Sequence, residues 1–290
     1  MSAETAVGHD VAHESESQLW EGGKSPFRSS YGKIMMWYFL LSDAFTFAGF
    51  LISYGALRFS METWPVPDFV FSTFPFMGTA SAPLLFVSFM TFVLLFSSYT
   101  MIRAVQEGKR ENKSGVIKWM IFTIIGGATF LGCQAWEWTT LIATEHMSVT
   151  VNPFGTHLAS GVYLDDEHGH VYNAGEEAET FQAGHSYLIH KEGGEWIQRR
   201  YQITEGPDAG MVKQLEFGPK AFGALFFFIT GFHGFHVFSG VIFLLIIALN
   251  VASGLYVKRK NGYEMVEKIG LYWHFVDLVW VFVFLVFYLL

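Results

Sequence analysis

Five long apolar segments constrain the fold of this 290-residue chain more than any other feature. They cover residues 33–57, 81–105, 116–143, 219–251 and 269–290. Each segment is long enough to cross a hydrocarbon core of about 30 Å as a helix. Only helices and closed barrels satisfy the backbone in lipid, and these segments are too continuously apolar for barrel strands. The sequence therefore predicts an all-α membrane protein, a bundle of five transmembrane helices.

Composition supports a membrane protein and divides the chain into four parts. Aromatic residues make up 18% of the chain and charged residues only 15%, unlike an ordinary soluble domain. We predict a solvated N-terminal tail at 1–32, three transmembrane helices at 33–143, an insert at 144–218 and two further helices at 219–290. The single cysteine, Cys133, excludes a disulfide within the chain.

The insert has the pattern of a small β-rich unit. Residues 165–170 and 191–195 are rich in Gly and acidic residues and are flanked by short aromatic and β-branched runs, which is typical of hairpin turns. We predict about four strands, resting on the end of the bundle. His168 and His170 lie beside three carboxylates and could bind a metal, but a solvated acidic turn is the favoured interpretation.

Basic residues on alternate loops predict the orientation. They precede the first span, join the second to the third, and join the fourth to the fifth: Lys24, Arg28, Lys33, Arg103, Lys109, Arg110, Lys113, Lys118, Lys258, Arg259, Lys260 and Lys268. We therefore predict a cytoplasmic N-terminus, a periplasmic C-terminus and an extracytoplasmic insert.

Ionisable residues inside the apolar segments are the candidate functional residues, because a charge near the bilayer centre costs at least about 2.5–3.5 kcal/mol. Asp43 lies in the first segment. Three pairs at a spacing of three residues, which places each pair on one helix face, lie in the third, fourth and fifth. These pairs are Gln134/Glu137, His233/His236 and His274/Asp277.

Three interpretations of these pairs remain open. A di-metal carboxylate site wants a Glu-x-x-His on each of two helices, and that pattern is not met. A haem held by one histidine from each of the last two helices is compatible with the spacing. A buried hydrogen-bonded network that locks the helices together needs no cofactor and is favoured.

The motifs that hold these residues resemble subunit III of the haem–copper oxidases, in a five-span bacterial form. The resemblance is most specific at residues 227–237 and 272–280, and it extends to Ser42-Asp43 with Phe47-Ala48-Gly49 and to residues 134–137. Two features depart from the family pattern. The chain begins where the third of seven family spans would be, and Asp43 stands where the family has a membrane glutamate.

The resemblance implies a respiratory terminal oxidase of the cytochrome c oxidase type, in which this chain is a non-catalytic subunit without a cofactor of its own. Haem and copper would then lie in partner subunits. The family packs against subunit I, assembles with subunit II, binds phospholipid and sustains proton uptake during O2 reduction to water. By the same resemblance, Asp43 is the proton-path or interface carboxylate, and the three pairs form a buried polar network with possible lipid contact.

Other functions remain open from the sequence. Within the family, the chain could serve a quinol oxidase or a nitric oxide reductase instead. Outside it, the chain could be an independent haem-binding membrane protein or an ion channel lined by Asp43, Glu137 and Asp277. The absence of repeats and of charged rings argues against the channel.

Overall fold

Five long helices form the body of the protein in the computed structural model, which describes residues 30–75, 83–164, 179–258 and 262–290. The helices are α1 (Tyr31–Ser60), α2 (Leu85–Lys109), α3 (Lys113–Thr139), α4 (Lys220–Ala252) and α5 (Glu264–Phe284). Helices α3 and α5 each continue into a π-helical turn, at Thr140–Thr144 and Leu285–Leu289. All five are long and apolar enough to cross a membrane, which confirms the predicted five-helix fold class.

The turn between α2 and α3 is built by its polar residues. Asn112 caps α3, where its side-chain oxygen accepts a hydrogen bond from the Gly115 backbone N–H at 3.3 Å. Its amide donates to the Glu107 carboxylate at 2.7 Å, and Glu111 takes a left-handed conformation with φ of 57°. These bonds hold α2 and α3 as an antiparallel hairpin whose turn is basic. We call this end of the bundle the basic end.

The core lies among α2, α3, α4 and α5. Trp273 and Trp280 of α5 are fully buried there. Small residues let the helices approach closely: a Cβ added to Gly127 would lie 2.5 Å from the Trp273 ring, and one added to Gly126 would lie 2.6 Å from Cβ of Ser97.

Helix α1 lies at the edge of the bundle and packs against α4 and α5. Its buried residues are Leu40, Phe47 and Tyr54, each seven residues from the next. This spacing is that of a narrow coiled-coil seam, so most of the circumference of α1 faces away from the rest of the chain.

The insert contains eight short strands within the described residues. They are β1 (Phe154–Thr156), β2 (Gly161–Tyr163), β3 (Thr180–Phe181), β4 (Ser186–Leu188), β5 (His190–Glu192), β6 (Glu195–Ile197), β7 (Arg200–Ile203) and β8 (Val212–Gln214). Antiparallel pairing gives a four-stranded sheet of order β3-β2-β7-β8 and two two-stranded ladders, β1-β4 and β5-β6. The insert is therefore β-rich as predicted, with more strands than the four expected.

One of the two predicted hairpins can be compared with the structure. Strands β5 and β6 pair with Glu192 opposite Glu195, so the turn is only Gly193-Gly194 rather than residues 191–195. Both glycines have positive φ, which a tight two-residue turn requires. The other predicted turn, with His168 and His170, lies outside the described residues.

The two ends of the insert meet at the end of the bundle opposite the basic end. The Gly218 N–H donates to the Asn152 carbonyl oxygen at 3.0 Å, and the Asn152 side chain donates to the Pro219 carbonyl oxygen at 3.0 Å. The Thr156 hydroxyl also donates to the Trp64 carbonyl oxygen at 2.8 Å. Because Trp64 lies just after α1, this bond ties the insert to the first helix connection.

Candidate functional site

The polar residues of the helices form three hydrogen-bonded clusters. We name each after one member: the Asp43 cluster between α1 and α4, the Ser98 cluster between α2 and α5, and the Glu137 cluster between α3 and the end of α5. Among the described residues, no hydrogen bond joins one cluster to another. The predicted pairs therefore hold helices together locally and do not form one continuous network.

The Asp43 cluster contains a shared proton. His236 Nδ1 lies 2.8 Å from the Phe232 carbonyl oxygen, which can only accept, so Nδ1 carries a hydrogen. His236 Nε2 lies 3.1 Å from Asp43 Oδ2. A hydrogen bond at that distance needs a proton on one of the two atoms, so the pair is either a neutral acid with imidazole or a carboxylate with imidazolium. In both forms the pair is neutral overall, which suits its depth in the membrane.

The Asp43 cluster also reaches α5. The Tyr272 hydroxyl donates to the His236 carbonyl oxygen at 3.0 Å and lies 3.0 Å from the Ser239 hydroxyl. The side chains of Asp43 and His236 remain 17% and 10% exposed in this chain. The cluster thus joins α1, α4 and α5 at a partly open edge of the bundle.

The Ser98 cluster brings together His274 and Asp277 through a hydroxyl on another helix. Ser98 Oγ lies 2.6 Å from His274 Nδ1, and the same serine faces the Asp277 side chain. Asp277 Oδ1 is buried, and no described residue donates to it. The sequence placed the two residues on one helix face, but it did not identify the serine that they share.

The Glu137 cluster is the most enclosed of the three. Gln134 Nε2 donates to Glu137 Oε2 at 2.7 Å, and the Tyr288 hydroxyl lies 3.2 Å and 3.0 Å from the two carboxylate oxygens. Tyr288 belongs to the π-helical turn after α5, and Glu137 lies just before the one after α3. The π-helical end of α5 thus meets the end of α3 at one carboxylate, and π-helical turns often occur at functional positions.

His233 does not share a partner with His236. Its Nε2 donates to the Val276 carbonyl oxygen on α5 at 3.1 Å. The rings of Phe130 and Trp280 enclose it, with centroids 5.7 Å and 5.2 Å from the imidazole. The two histidines therefore point to different neighbours, His233 to α5 and His236 to α1.

The metal and haem interpretations depend on the ring nitrogens of these histidines. Within the described parts of the chain, no three or more His, Cys, Asp or Glu side chains are grouped to hold a metal ion. His233 and His236 use Nε2 for hydrogen bonds to protein, and His274 uses Nδ1. His233 Nδ1 is buried and has no hydrogen-bond partner among the described residues. The hydrogen bonds of the three histidines tie neighbouring helices together.

Four participating residues were not identified from the sequence: Ser98, Ser239, Tyr272 and Tyr288. For Ser98 there was a signal, because Ser97 and Ser98 are adjacent hydroxyls within an apolar span. The two tyrosines carry no distinguishing pattern in an aromatic-rich chain. Their roles depend on which helix they face.

The insert has a buried titratable residue of its own. His157 stacks on Phe181 with ring centroids 3.6 Å apart, and its Nε2 lies 2.8 Å from the Tyr163 hydroxyl. Burial, with a smaller contribution from the nearby His185, lowers the pKa of His157 to about 4. Burial also raises the pKa of Tyr163 to about 12. The histidine is therefore neutral in the folded insert at physiological pH.

Comparison with known proteins identifies one family. Residues 211–290, which hold α4, α5 and both histidine motifs, match the family described as cytochrome c oxidase subunit III. The chain is 25% identical to cytochrome c oxidase subunit 3 of Thermostichus vulcanus over 288 residues, covering 99% of this chain and 94% of the relative. It is 24% identical to cytochrome c oxidase subunit 3 of Alkalihalophilus pseudofirmus over 259 residues, covering 88% and 84%.

A relative with another name is about as similar. The chain is 25% identical to quinol oxidase subunit 3 of Bacillus spizizenii over 204 residues, which covers 70% of this chain and 65% of the relative. The chain is therefore about equally similar to relatives named for cytochrome c and to one named for quinol.

Proposed function

We propose that this chain, which is similar to subunit III of the haem–copper oxidases, is a non-redox accessory subunit that stabilises the catalytic subunit of a terminal oxidase. It is a multi-pass membrane protein of an oxidase complex. In our proposal it packs against subunit I, binds phospholipid and supports proton uptake while the complex reduces O2 to water. Haem and copper lie in the partner subunits.

The Asp43–His236 pair is the observation that carries this proposal. It is a neutral, proton-sharing pair at a partly open edge of the bundle, beside a helix whose circumference is mostly left uncovered by the described residues. A surface that pairs its own polar groups and exposes apolar side chains is suited to contact with lipid or with another membrane subunit. We propose that subunit I covers this edge.

Orientation and location form part of the same proposal. The basic end holds Lys33, Lys109, Lys113 and Lys268, and positively charged loops are retained in the cytoplasm. We place the N-terminus in the cytoplasm and the insert in the periplasm of a bacterial plasma membrane. There the insert would lie on the side from which a soluble electron donor approaches.

Purification of the chain in mild detergent tests the accessory role. We expect haem to travel with a larger co-purifying chain, seen in the reduced-minus-oxidised spectrum, and this subunit to be colourless once separated. If the separated chain carries haem, it is a redox protein and the proposal is wrong. If no haem-bearing chain co-purifies even after mild crosslinking, the association with subunit I is wrong.

A quinol oxidase is the second candidate, and the relative from Bacillus spizizenii favours it. We prefer cytochrome c, the donor named for the relatives that cover more of the chain. Oxygen consumption by the purified complex separates the two. Turnover with reduced cytochrome c supports our preference, and turnover with a quinol alone supports the alternative.

A further inference from the structure

Two cations and one aromatic ring meet on the outer face of the α2–α3 hairpin, away from all three polar clusters. Arg103 Cζ of α2 lies 5.4 Å from the centroid of the Trp119 ring on α3. Lys118 Nζ lies 6.0 Å from the same ring, at the outer limit of a cation–π contact. The indole thus holds two positive charges close together on adjacent helices.

Arg103 and Lys118 have hydrogen-bond donors that no described residue accepts from. Arg103 Nη1 donates to Gln106 Oε1 at 3.2 Å, but Nε is buried and has no acceptor among the described residues. Lys118 is exposed, and no ion pair within the described ranges involves either residue. The Lys118 ammonium and the part of the Arg103 guanidinium that does not bond Gln106 can therefore donate to an anion with several acceptor oxygens.

The depth of Arg103 and Lys118 in the membrane indicates which kind of anion they bind. Arg103 lies six residues before the end of α2, and Lys118 lies five residues after the start of α3. At about 1.5 Å per residue, both lie about 8–9 Å from the basic end, the depth of lipid headgroups. Toward the bilayer centre the same two helices expose Tyr99 and Ile102 on α2 and Ile125 on α3.

We propose that Arg103, Lys118 and Trp119 bind the headgroup of an anionic phospholipid, whose acyl chains lie along the exposed apolar side chains of α2 and α3. Basic pockets between helices near the membrane surface are suited to phosphate headgroups. The apolar path favours a lipid over soluble phosphate. This inference deepens the lipid-binding part of the proposed function by assigning a site and a charge preference.

Photo-crosslinking to the intact purified complex tests the site. The probe is phosphatidylglycerol with a photoreactive acyl chain, and peptide mapping then measures labelling of residues 95–125. We expect the double variant Arg103→Gln/Lys118→Gln to lose labelling there by about tenfold or more, because each basic residue adds to headgroup attraction. Unchanged labelling in this variant overturns the proposal.

Two further variants keep the result specific. Lys109→Gln/Lys113→Gln removes the same charge from the same hairpin without touching Trp119, and it should label like the wild type. Arg103→Lys/Lys118→Arg keeps both charges and should also label, even if the glutamine variant fails to fold. Loss of labelling in the first control, or in the second when that variant is folded, contradicts a site built from these two cations.

Competition distinguishes the ligand. Unlabelled phosphatidylglycerol should displace the probe, whereas phosphatidylcholine and inorganic phosphate should not. Equal displacement by phosphatidylcholine would mean that charge is not recognised, and displacement by phosphate would mean a headgroup-only anion site; either overturns the proposal. Haem co-purification, measured on the same samples, tests the accessory role separately. A complex that keeps haem but does not label the hairpin contradicts only this inference.

Discussion

The shared proton between Asp43 and His236 determines what substitutions at that pair should do. Asp43→Ala leaves His236 Nε2 without its partner on α1. We expect assembly to persist, because Leu40, Phe47 and Tyr54 still pack, but the number of turnovers before inactivation to fall. Asp43→Glu restores a carboxyl group and should recover that number. Equal lifetimes for the alanine variant and the wild type would remove Asp43 from the proposed function.

Tyr288 should matter for stability at the other end of the bundle. Tyr288→Phe removes the hydroxyl beside both oxygens of Glu137 and leaves the buried carboxyl group with Gln134 alone. We expect unfolding in detergent to become easier by about 1–3 kcal/mol. Tyr99→Phe, at a 51% exposed tyrosine, is the matched control and should change stability by less than about 0.5 kcal/mol. Equal effects would contradict a structural role for this hydrogen bond.

Individual polar residues could be predicted from the sequence, but their partners could not. Helical spacing places His274 and Asp277 on one face of α5, and in the structure both side chains lie beside Ser98. Spacing within one helix does not say which helix lies opposite. Ser98 is 176 residues from His274 in the chain, so only tertiary packing determines that contact.

At the scale of elements, glycines that face other helices should tolerate no added methyl group. A Cβ at Gly127 would lie 2.5 Å from Trp273 and 2.8 Å from Val241, so we expect Gly127→Ala to cost about 1–3 kcal/mol by overpacking. No described residue lies within 4 Å of a Cβ added to Gly132, on the same helix. Gly132→Ala should be neutral or stabilising by up to about 1 kcal/mol. Thermal unfolding of both variants checks this contrast, which equal shifts would contradict.

The insert should lose stability in acid through His157. Its pKa falls from 6.5 to about 4 on folding, so the unfolded insert binds more protons between these values. The contribution of this histidine to stability is fully present above pH 6.5 and declines by about 3 kcal/mol as pH falls to 4. Amide hydrogen exchange of β2 and β7 from neutral pH to pH 4 measures this decline. His157→Phe should flatten it, and an unchanged slope would show that other groups are responsible.

The elements themselves were largely predictable, while the strand pairing was not. A continuously apolar segment of 20 or more residues satisfies its backbone hydrogen bonds in lipid as a helix, so the five helices can be predicted from the sequence. Short strands in a polar insert have many possible partners. Strand β2, for example, pairs with β7, and β1 pairs with β4 rather than with its neighbour in the chain. Such non-local pairs depend on the aromatic core around His157, which local patterns do not reveal.

At the scale of the whole molecule, the insert should be removable. Its ends meet where Gly218 donates to the Asn152 carbonyl oxygen, so joining Asn152 to Gly218 closes the chain without moving α3 or α4. We expect a chain lacking residues 153–217 to insert with all five helices in the membrane. Protease protection and cysteine accessibility in the helix connections measure this. Failure of insertion would mean that the insert is part of the core fold.

The position of α1 has a consequence for biogenesis. Of the five helices it is the first to be made, whereas the helices that it contacts, α4 and α5, are the fourth and fifth, and Asp43 precedes His236 by 193 residues. At translation rates of about 5–20 residues per second, α1 waits about 10–40 s before its partner is synthesised. During that time a carboxyl group that costs about 2.5–3.5 kcal/mol in lipid has no histidine to share a proton with. Helix α1 therefore has to be held by the insertion machinery until its partners are made, and the bundle is completed only after α4 and α5 have been synthesised.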